Sequence, residues 1–247
     1  MRINKFIAQA TGLSRRAADT AIIASEVLIG SQPATIGQTV AATDTVTFRG
    51  KAYHLADIAK HTSILLHKPV GFIVSRNGQG SPTIYELLPT QYRPLKPVGR
   101  LDKDSSGLLI LTDDGVLAHE LTHPSRHKLK RYEITLDHSL APLHRQMISE
   151  YGLQLDDGPS KFQLDRLDIT TGDLAPSPNT SPSSPAPDTT WLVTMYEGRN
   201  RQIRRTFAAL GYAVVRLHRI QFGHYQLNSL PSGQHQLVSN NPRQSGQ

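Results

Sequence analysis

Three stretches of the chain hold side chains whose types and spacing can do chemistry. In Gly99-Arg100-Leu101-Asp102-Lys103-Asp104-Ser105-Ser106-Gly107, carboxylates and hydroxyls crowd a segment that runs straight into four apolar residues, Leu108 to Leu111. A carboxylate at the mouth of an interior strand is held still, which suits nucleophilic or base chemistry. In Glu197-Gly198-Arg199-Asn200-Arg201-Gln202-Ile203-Arg204-Arg205, four arginines fall within seven residues. For Arg199, Arg201 and Arg205 the expected role is a solvated or RNA-binding face. One guanidinium at the opening of this helix could instead reach a partly buried carboxylate, hold it ionised and fix its orientation.

Two metal patterns compete with that reading. His119-Glu120-Leu121-Thr122-His123, with His127 nearby, matches the spacing at which two histidines one helical turn apart bind zinc. Pro124 ends the helix at once, however, and a zinc hydrolase would not account for the basic charge. Asp102-x-Asp104-x-Ser106-Gly107, ending at Asp113, mimics a calcium loop. Pro97 and Gly99 leave no room for an entering helix, Leu108 to Leu111 is too apolar for a ligand loop, and the last position holds Asp rather than Glu. No metal is expected.

The elements that must position these residues are legible from periodicity. Leu108 to Leu111, bounded by Gly107 and Gly115, reads as a strand buried on both faces. Ile64 to Leu66 opens a strand that ends at Lys68-Pro69-Val70-Gly71. A short helix is expected near Val116 to Thr122, stopped by Pro124, and a strand from Tyr132 to Leu136. Trp191 to Tyr196 is a further strand, with Trp191, Val193 and Met195 on one face. The arginine-rich segment then turns into a helix carrying Ile203, Phe207 and Leu210 inward, with Gly211 at its end, and Val214 to Leu217 is another strand. Residues 171–190, rich in Pro, Ser and Thr, are expected to be a disordered loop. This irregular alternation favours an α+β fold over a doubly wound parallel sheet.

The first 50 residues look self-contained. Ile3, Phe6, Ile7 and Ala10 share one helical face, Gly12 closes that helix, and Ser14 is placed to cap a second helix through Ala24. Val27 to Ile29 and Thr45 to Phe48 read as short strands. Arg2, Lys5, Arg15 and Arg16 surround the helices and suit phosphate. Residues 51–62, polar and weakly patterned, read as a hinge.

The chain has 247 residues, 27 Lys+Arg against 20 Asp+Glu, and a formal charge of +7. That excess points to a polyanionic partner, nucleic acid before membrane. With no cysteine, disulfides, thiolate catalysis and cysteine-type zinc sites are excluded. The opening MRINKFIAQA is too charged for a signal peptide, and no window approaches the roughly 18 apolar residues that would span a bilayer. A soluble, cytoplasmic protein is expected.

RINKFIAQATGLSRRAADTAI resembles the start of an S-four-type RNA-binding domain, with Leu13-Ser14-Arg15-Arg16-Ala17 as its most specific part. Where that domain usually has Gly-x-Val-x-Val-Asn-Gly, this chain has Ser25-Glu26-Val27-Leu28-Ile29-Gly30-Ser31, and Glu26 weakens the basic surface there. GRLDKDSSGLLILTDDG and EGRNRQIRRTFAALGYAVVRLHRI resemble the signature segments of the RsuA/RluB/RluF-type ribosomal RNA pseudouridine synthases. LTHPSRHKLKRYEITL resembles the segment between them, and LLHKPVGFIVS the opening strand.

The resemblance implies an S-four-type domain over residues 1–60. It also implies a catalytic domain over residues 63–247 with a mixed, mainly antiparallel sheet flanked by helices. Uridine in ribosomal RNA would be isomerised to pseudouridine by an enzyme needing no cofactor. Asp102 matches the catalytic aspartate, acting as nucleophile or as base. Tyr132 matches the aromatic residue that packs on the target uracil, and Arg204 the arginine paired with the aspartate. Arg100 matches a neighbour that contacts RNA and fills the gap left by the flipped base, while Arg199, Asn200, Arg201 and Gln202 are expected against RNA. The implied partner is ribosomal RNA, free or in a pre-ribosomal particle, met by a monomer. The opening RINKF…SRR…ATIG looks more like the large-subunit (23S) members.

Overall fold

Ile3, Phe6 and Ile7 recur at helical spacing and are fully buried, so the chain opens with α1 (Ile3–Thr11). Its end is a left-handed glycine, Gly12 at φ 79°, whose N–H reaches back to the Ala8 carbonyl. The Ser14 side chain then accepts the Ala17 N–H and starts α2 (Arg15–Ile23). In this computed structural model residues 1–57, 61–78, 80–167 and 189–238 are described. The chain divides into two units, Met1–Thr62 and Ser63–Gln247.

In the first unit the two helices share a core with a four-stranded sheet of order β2-β1-β3-β4. Its strands are β1 (Val27–Ile29), β2 (Gln32–Pro33), β3 (Thr45–Phe48) and β4 (Lys51–His54). The hinge expected over 51–62 is therefore partly structure. Lys51–His54 pairs with β3 as an edge strand, which needs ladder hydrogen bonds but little apolar surface, and Tyr53 and Leu55 pack onto the core. Glu26 faces Arg49 at 2.8 Å, so the acid that interrupts the basic surface is paired.

The second unit is built on a long mixed sheet. Its first half holds β5 (Ser63–Lys68), β6 (Lys96–Val98) and β7 (Ser106–Thr112), followed by α3 (Gly115–Thr122) and β8 (Lys130–Leu136). After α4 (Pro142–Gln146) a separate hairpin, β9 (Leu153–Leu155) and β10 (Gly158–Ser160), leads to β11 (Gln163–Arg166). Then come β12 (Thr190–Met195), α5 (Gln202–Ala208), β13 (Val214–Phe222), β14 (Tyr225–Gln226) and β15 (His235–Val238). The strand order is β11-β12-β8-β13-β7-β5-β15, with β14 beside β13 and β6 beside β7. Among the described residues its strand ladders are antiparallel except β13 with β7. The fold is α+β, as the irregular alternation suggested.

Strand β7 explains why the sheet is covered twice. Leu109 and Leu111 face one core with Ile64, Leu66, Ile134 and Phe207. Leu108 and Ile110 face another with Leu65, Leu121 and Phe222. Each such leucine contributes about 1.5–3 kcal/mol by leaving water. Of the loop expected over 171–190, residues 171–188 lie outside the described residues. Thr189 and Thr190 are buried and Thr190 opens β12, so the strand starts one residue before the expected Trp191.

Candidate active site

The segment between β6 and β7 is a turn closed by the Ser105 N–H on the Asp102 carbonyl. The next three carbonyls are each bonded from a different part of the chain. Gly71 N–H donates to Lys103 O at 2.7 Å, Arg204 Nη2 to Asp104 O at 2.9 Å and Lys68 Nζ to Ser105 O at 2.6 Å. Lys68 is fully buried, and it also donates to Pro69 O. Burial pushes Lys68 down to about 8, with the charges of Asp104 and Asp102 working against that and Arg219 adding to it. A turn whose backbone is fixed at so many points gives the Asp102 side chain a stationary base.

Two arginines meet this turn from the start of α5. Arg201, the N-cap residue, is held at φ 46°, a left-handed conformation rare outside glycine. It reaches Asp104 at 3.2–3.3 Å and Asp102 at 3.5 Å. Arg204, more deeply placed, has its Nε 3.3 Å from Asp104 Oδ2 and also donates to Val214 O. The pairing expected between Arg204 and Asp102 is therefore shared differently. Arg201 is the guanidinium at Asp102, and Arg204 holds the turn through Asp104. The reason is the left-handed residue, which swings Arg201 out toward Asp102 and leaves Arg204 one turn further along the helix. Burial opposes the charge of Asp104, but hydrogen bonds from Arg201 and the charges of both arginines outweigh it and hold that carboxyl below its ordinary range.

The turn opens onto a cleft of about 660 Å³. It is lined by Arg100, Asp102 and Ser105, by Lys130 and Tyr132 of β8 and Arg219 of β13, and by His123, His127 and Lys128. Tyr132 is buried on β8, opposite Arg219 of β13. Arg219 is 2 % exposed. Its strand lies so close to β7 that a Cβ on Gly107 would sit 2.2 Å from the Arg219 carbonyl oxygen, and Gly107 itself has φ 107°. Only glycine fits there.

The other residues expected against RNA divide. Arg100 and Asn200 are exposed at the cleft. Arg199 is occupied instead, donating to Asp157 at 2.6 Å, Gly158 O at 3.0 Å and Pro159 O at 2.7 Å, so it clamps the β9–β10 hairpin. Arg205 does the same through Asp156 and Asp157. Gln202 is buried and spends its amide on Ser160 and Glu197. In the first unit Arg2, Arg15 and Arg16 are exposed and Lys5 is half-buried. His123 bonds Ser125, and no three metal-ligating side chains converge among the described residues. Lys68, Lys130 and Arg219 were not singled out from the sequence, and Asp104 reads there only as a polar turn residue. A charged residue closing the apolar run Ser63–Lys68, and two arginines inside the strand pattern VVRLHRIQF, were the available signals.

Residues 62–209 match the family of RNA pseudouridylate synthases. Ribosomal small subunit pseudouridine synthase A of Pasteurella multocida is 32 % identical over 242 residues, covering 97 % of this chain and 96 % of that protein. Ribosomal large subunit pseudouridine synthase B of Salmonella typhi is 32 % identical over 241 residues, covering 94 % of this chain and 77 % of the relative. A crystal structure of a pseudouridylate synthase superposes with a TM-score of 0.63 at 31 % identity, covering 97 % of this chain and 96 % of that one. The chain belongs to the RNA pseudouridylate synthase family. It is an enzyme that isomerises uridine in RNA to pseudouridine.

Proposed function

We propose that the enzyme acts on a uridine of ribosomal RNA, with Asp102 as the reacting carboxylate and Tyr132 packing on the uracil. One observation carries this reading: Asp102 projects from an over-fixed turn into a basic cleft that also holds Tyr132, with Arg201 3.5 Å away. Arg201 orients the carboxylate. Arg204 and Lys68 hold the turn beneath it and act as positioning residues. The uridine must leave its stack to enter, at a cost of roughly a few kcal/mol, part of which the aromatic face of Tyr132 offsets. Arg100 and Asn200 at the mouth meet the RNA backbone or the gap left by the base.

Ribosomal RNA as substrate is supported by the names of the relatives, which cover both ribosomal subunits. Preference for the large subunit is supported by the opening RINKF…SRR…ATIG. The first unit is read as the S-four-type RNA-binding domain, with exposed Arg2, Arg15 and Arg16 giving salt-dependent affinity. Mapping pseudouridines in ribosomal RNA from cells lacking the protein tests the whole assignment. One position should lose the modification and regain it with the wild-type gene but not with Asp102→Asn. Full restoration by Asp102→Asn would remove Asp102 from the chemistry.

A further inference from the structure

Arg219 is a buried cation with part of its hydrogen-bonding unspent. Its Nε donates to Leu108 O at 2.8 Å, while Nη2 is shut off from solvent and has no hydrogen-bond partner among the described residues. Leaving a charged N–H unsatisfied away from water is costly, so the side chain keeps an unbalanced positive charge beside the cleft. Arg219 lines the cleft next to Tyr132, its cross-strand neighbour. Lys130 adds a second cation. Its Nζ stands 5.2 Å over the Phe222 ring, and the Arg219 guanidinium stands 5.0 Å over the same ring. Burial first, then the charge of Arg219, pushes Lys130 down to about 8, against the opposing charge of Glu197. That carboxylate already serves Gln202 and, at 3.8 Å, Arg199. This part of the cleft therefore holds more positive charge than its own residues balance.

The reaction sends negative charge into that place. When the C1′–N1 bond of uridine breaks, its electron pair leaves with the ring and spreads over N1, O2 and O4. Asp102 balances the sugar side, either by bonding to it or by taking a proton from it. The pair returns when C5 bonds to C1′, and the proton displaced from C5 ends on N1. Nothing is oxidised or reduced, and no co-reactant is needed.

We propose that Arg219, assisted by Lys130, receives a carbonyl oxygen of the uracil and carries the charge of the detached ring while it turns. The proposal rests on the assignment of Asp102 and Tyr132 above. It makes Arg219 a substrate-contacting residue of the chemical step rather than a clamp for the RNA backbone, and it explains a cation buried next to the base-stacking tyrosine. Fixed donors aimed at developing charge act most strongly where water is excluded.

The test separates chemistry from binding, using ribosomal RNA extracted from cells lacking the protein. Single-turnover rates and RNA Kd are measured for wild type, Asp102→Asn, Arg219→Met, Arg219→Lys and Lys130→Met. Arg219→Met should slow the chemical step about 100-fold or more while Kd stays within about threefold, with partial recovery in Arg219→Lys. Lys130→Met should slow it about tenfold. An unchanged rate in Arg219→Met, or a loss confined to Kd as for a phosphate contact, overturns the proposal. If Arg219→Met does not fold, Lys130→Met decides, and an unaltered rate there overturns it as well. If Asp102→Asn forms pseudouridine as fast as wild type, the active-site reading has failed. If wild type works, Asp102→Asn does not and Arg219→Met keeps its rate, only the present proposal has failed.

Discussion

At the Asp102 end of the cleft, charges are matched: two arginines stand against two aspartates, and neighbouring carbonyls are bonded from three directions. At the Arg219 end they are not, since Glu197, the carboxylate whose charge bears on Lys130, is already engaged by Gln202 and Arg199. The two ends also differ in how they are held. The acid sits on a turn and is partly open to solvent, whereas the cation comes from the middle of a central strand and is buried. Matched charge gives a group a fixed position. Unmatched charge gives it something to do only when substrate arrives. On the roles proposed above for Asp102 and Arg219, the same cleft separates a reacting acid prepared in advance from a cationic region that substrate completes.

Substitutions can break this contrast at either end. Asp102→Asn should have the largest effect, lowering pseudouridine formation by about 10³-fold or more with RNA affinity kept, checked by nucleoside analysis and binding on one preparation. Gly107→Ala should come next. Its Cβ would meet the Arg219 backbone at 2.2 Å and push β7 from β13, so acid and cation move apart. A displacement near 1 Å is expected to cost about 100-fold in rate, and a lower denaturation midpoint should accompany it. Asp104→Asn removes the anion that Arg201 and Arg204 share, and a rate loss of about tenfold with unchanged substrate is expected from a looser acid turn.

A pH series sharpens the other end. Lys130, held down to about 8, is charged below that value and neutral above it. The chemical step should therefore decline as pH rises through about 8, where Lys68 beneath the acid turn also loses its proton, and Lys130→Arg should weaken the decline without abolishing it. Stability should move the opposite way. Lys68 and Lys130 are ordinary lysines near 10.5 once unfolded, so the unfolded chain binds more protons between about 8 and 10.5. Folding stability then rises across that window. The smallest effect is expected from Asp157→Asn, which loosens Arg199 and Arg205 from the hairpin but touches neither end of the cleft. Its rate should stay within about twofold.

Much of the scaffold was legible from periodicity because local pattern and final burial agree. Leu108 to Leu111 form a strand with leucines on both faces, Ser14 caps α2, and Gly12 ends α1. Asp102 and Tyr132 could be picked out, and they line one cleft. The arginines could not be sorted. Which of Arg199, Arg201, Arg204 and Arg205 meets which acid depends on a left-handed residue at the head of α5 and on a hairpin carrying Asp156 and Asp157, and neither leaves a mark in spacing. Lys68 and Arg219 were missed for a related reason. A charge inside an apolar strand looks like an interruption until the neighbouring strands show what surrounds it. The short edge strands β11 and β15 depend on partners distant in the chain.

The parallel join between β7 and β13 rests on two residue pairs, His218 with Ser106 and Arg219 with Gly107. It is the hem along which one half of the sheet, bearing the acid turn, is stitched to the other, bearing the tyrosine. Loops elsewhere can lengthen or change without altering the gauge between them. On the roles proposed for Asp102 and Arg219, the span across which a sugar and its base must part is set by the width of one glycine.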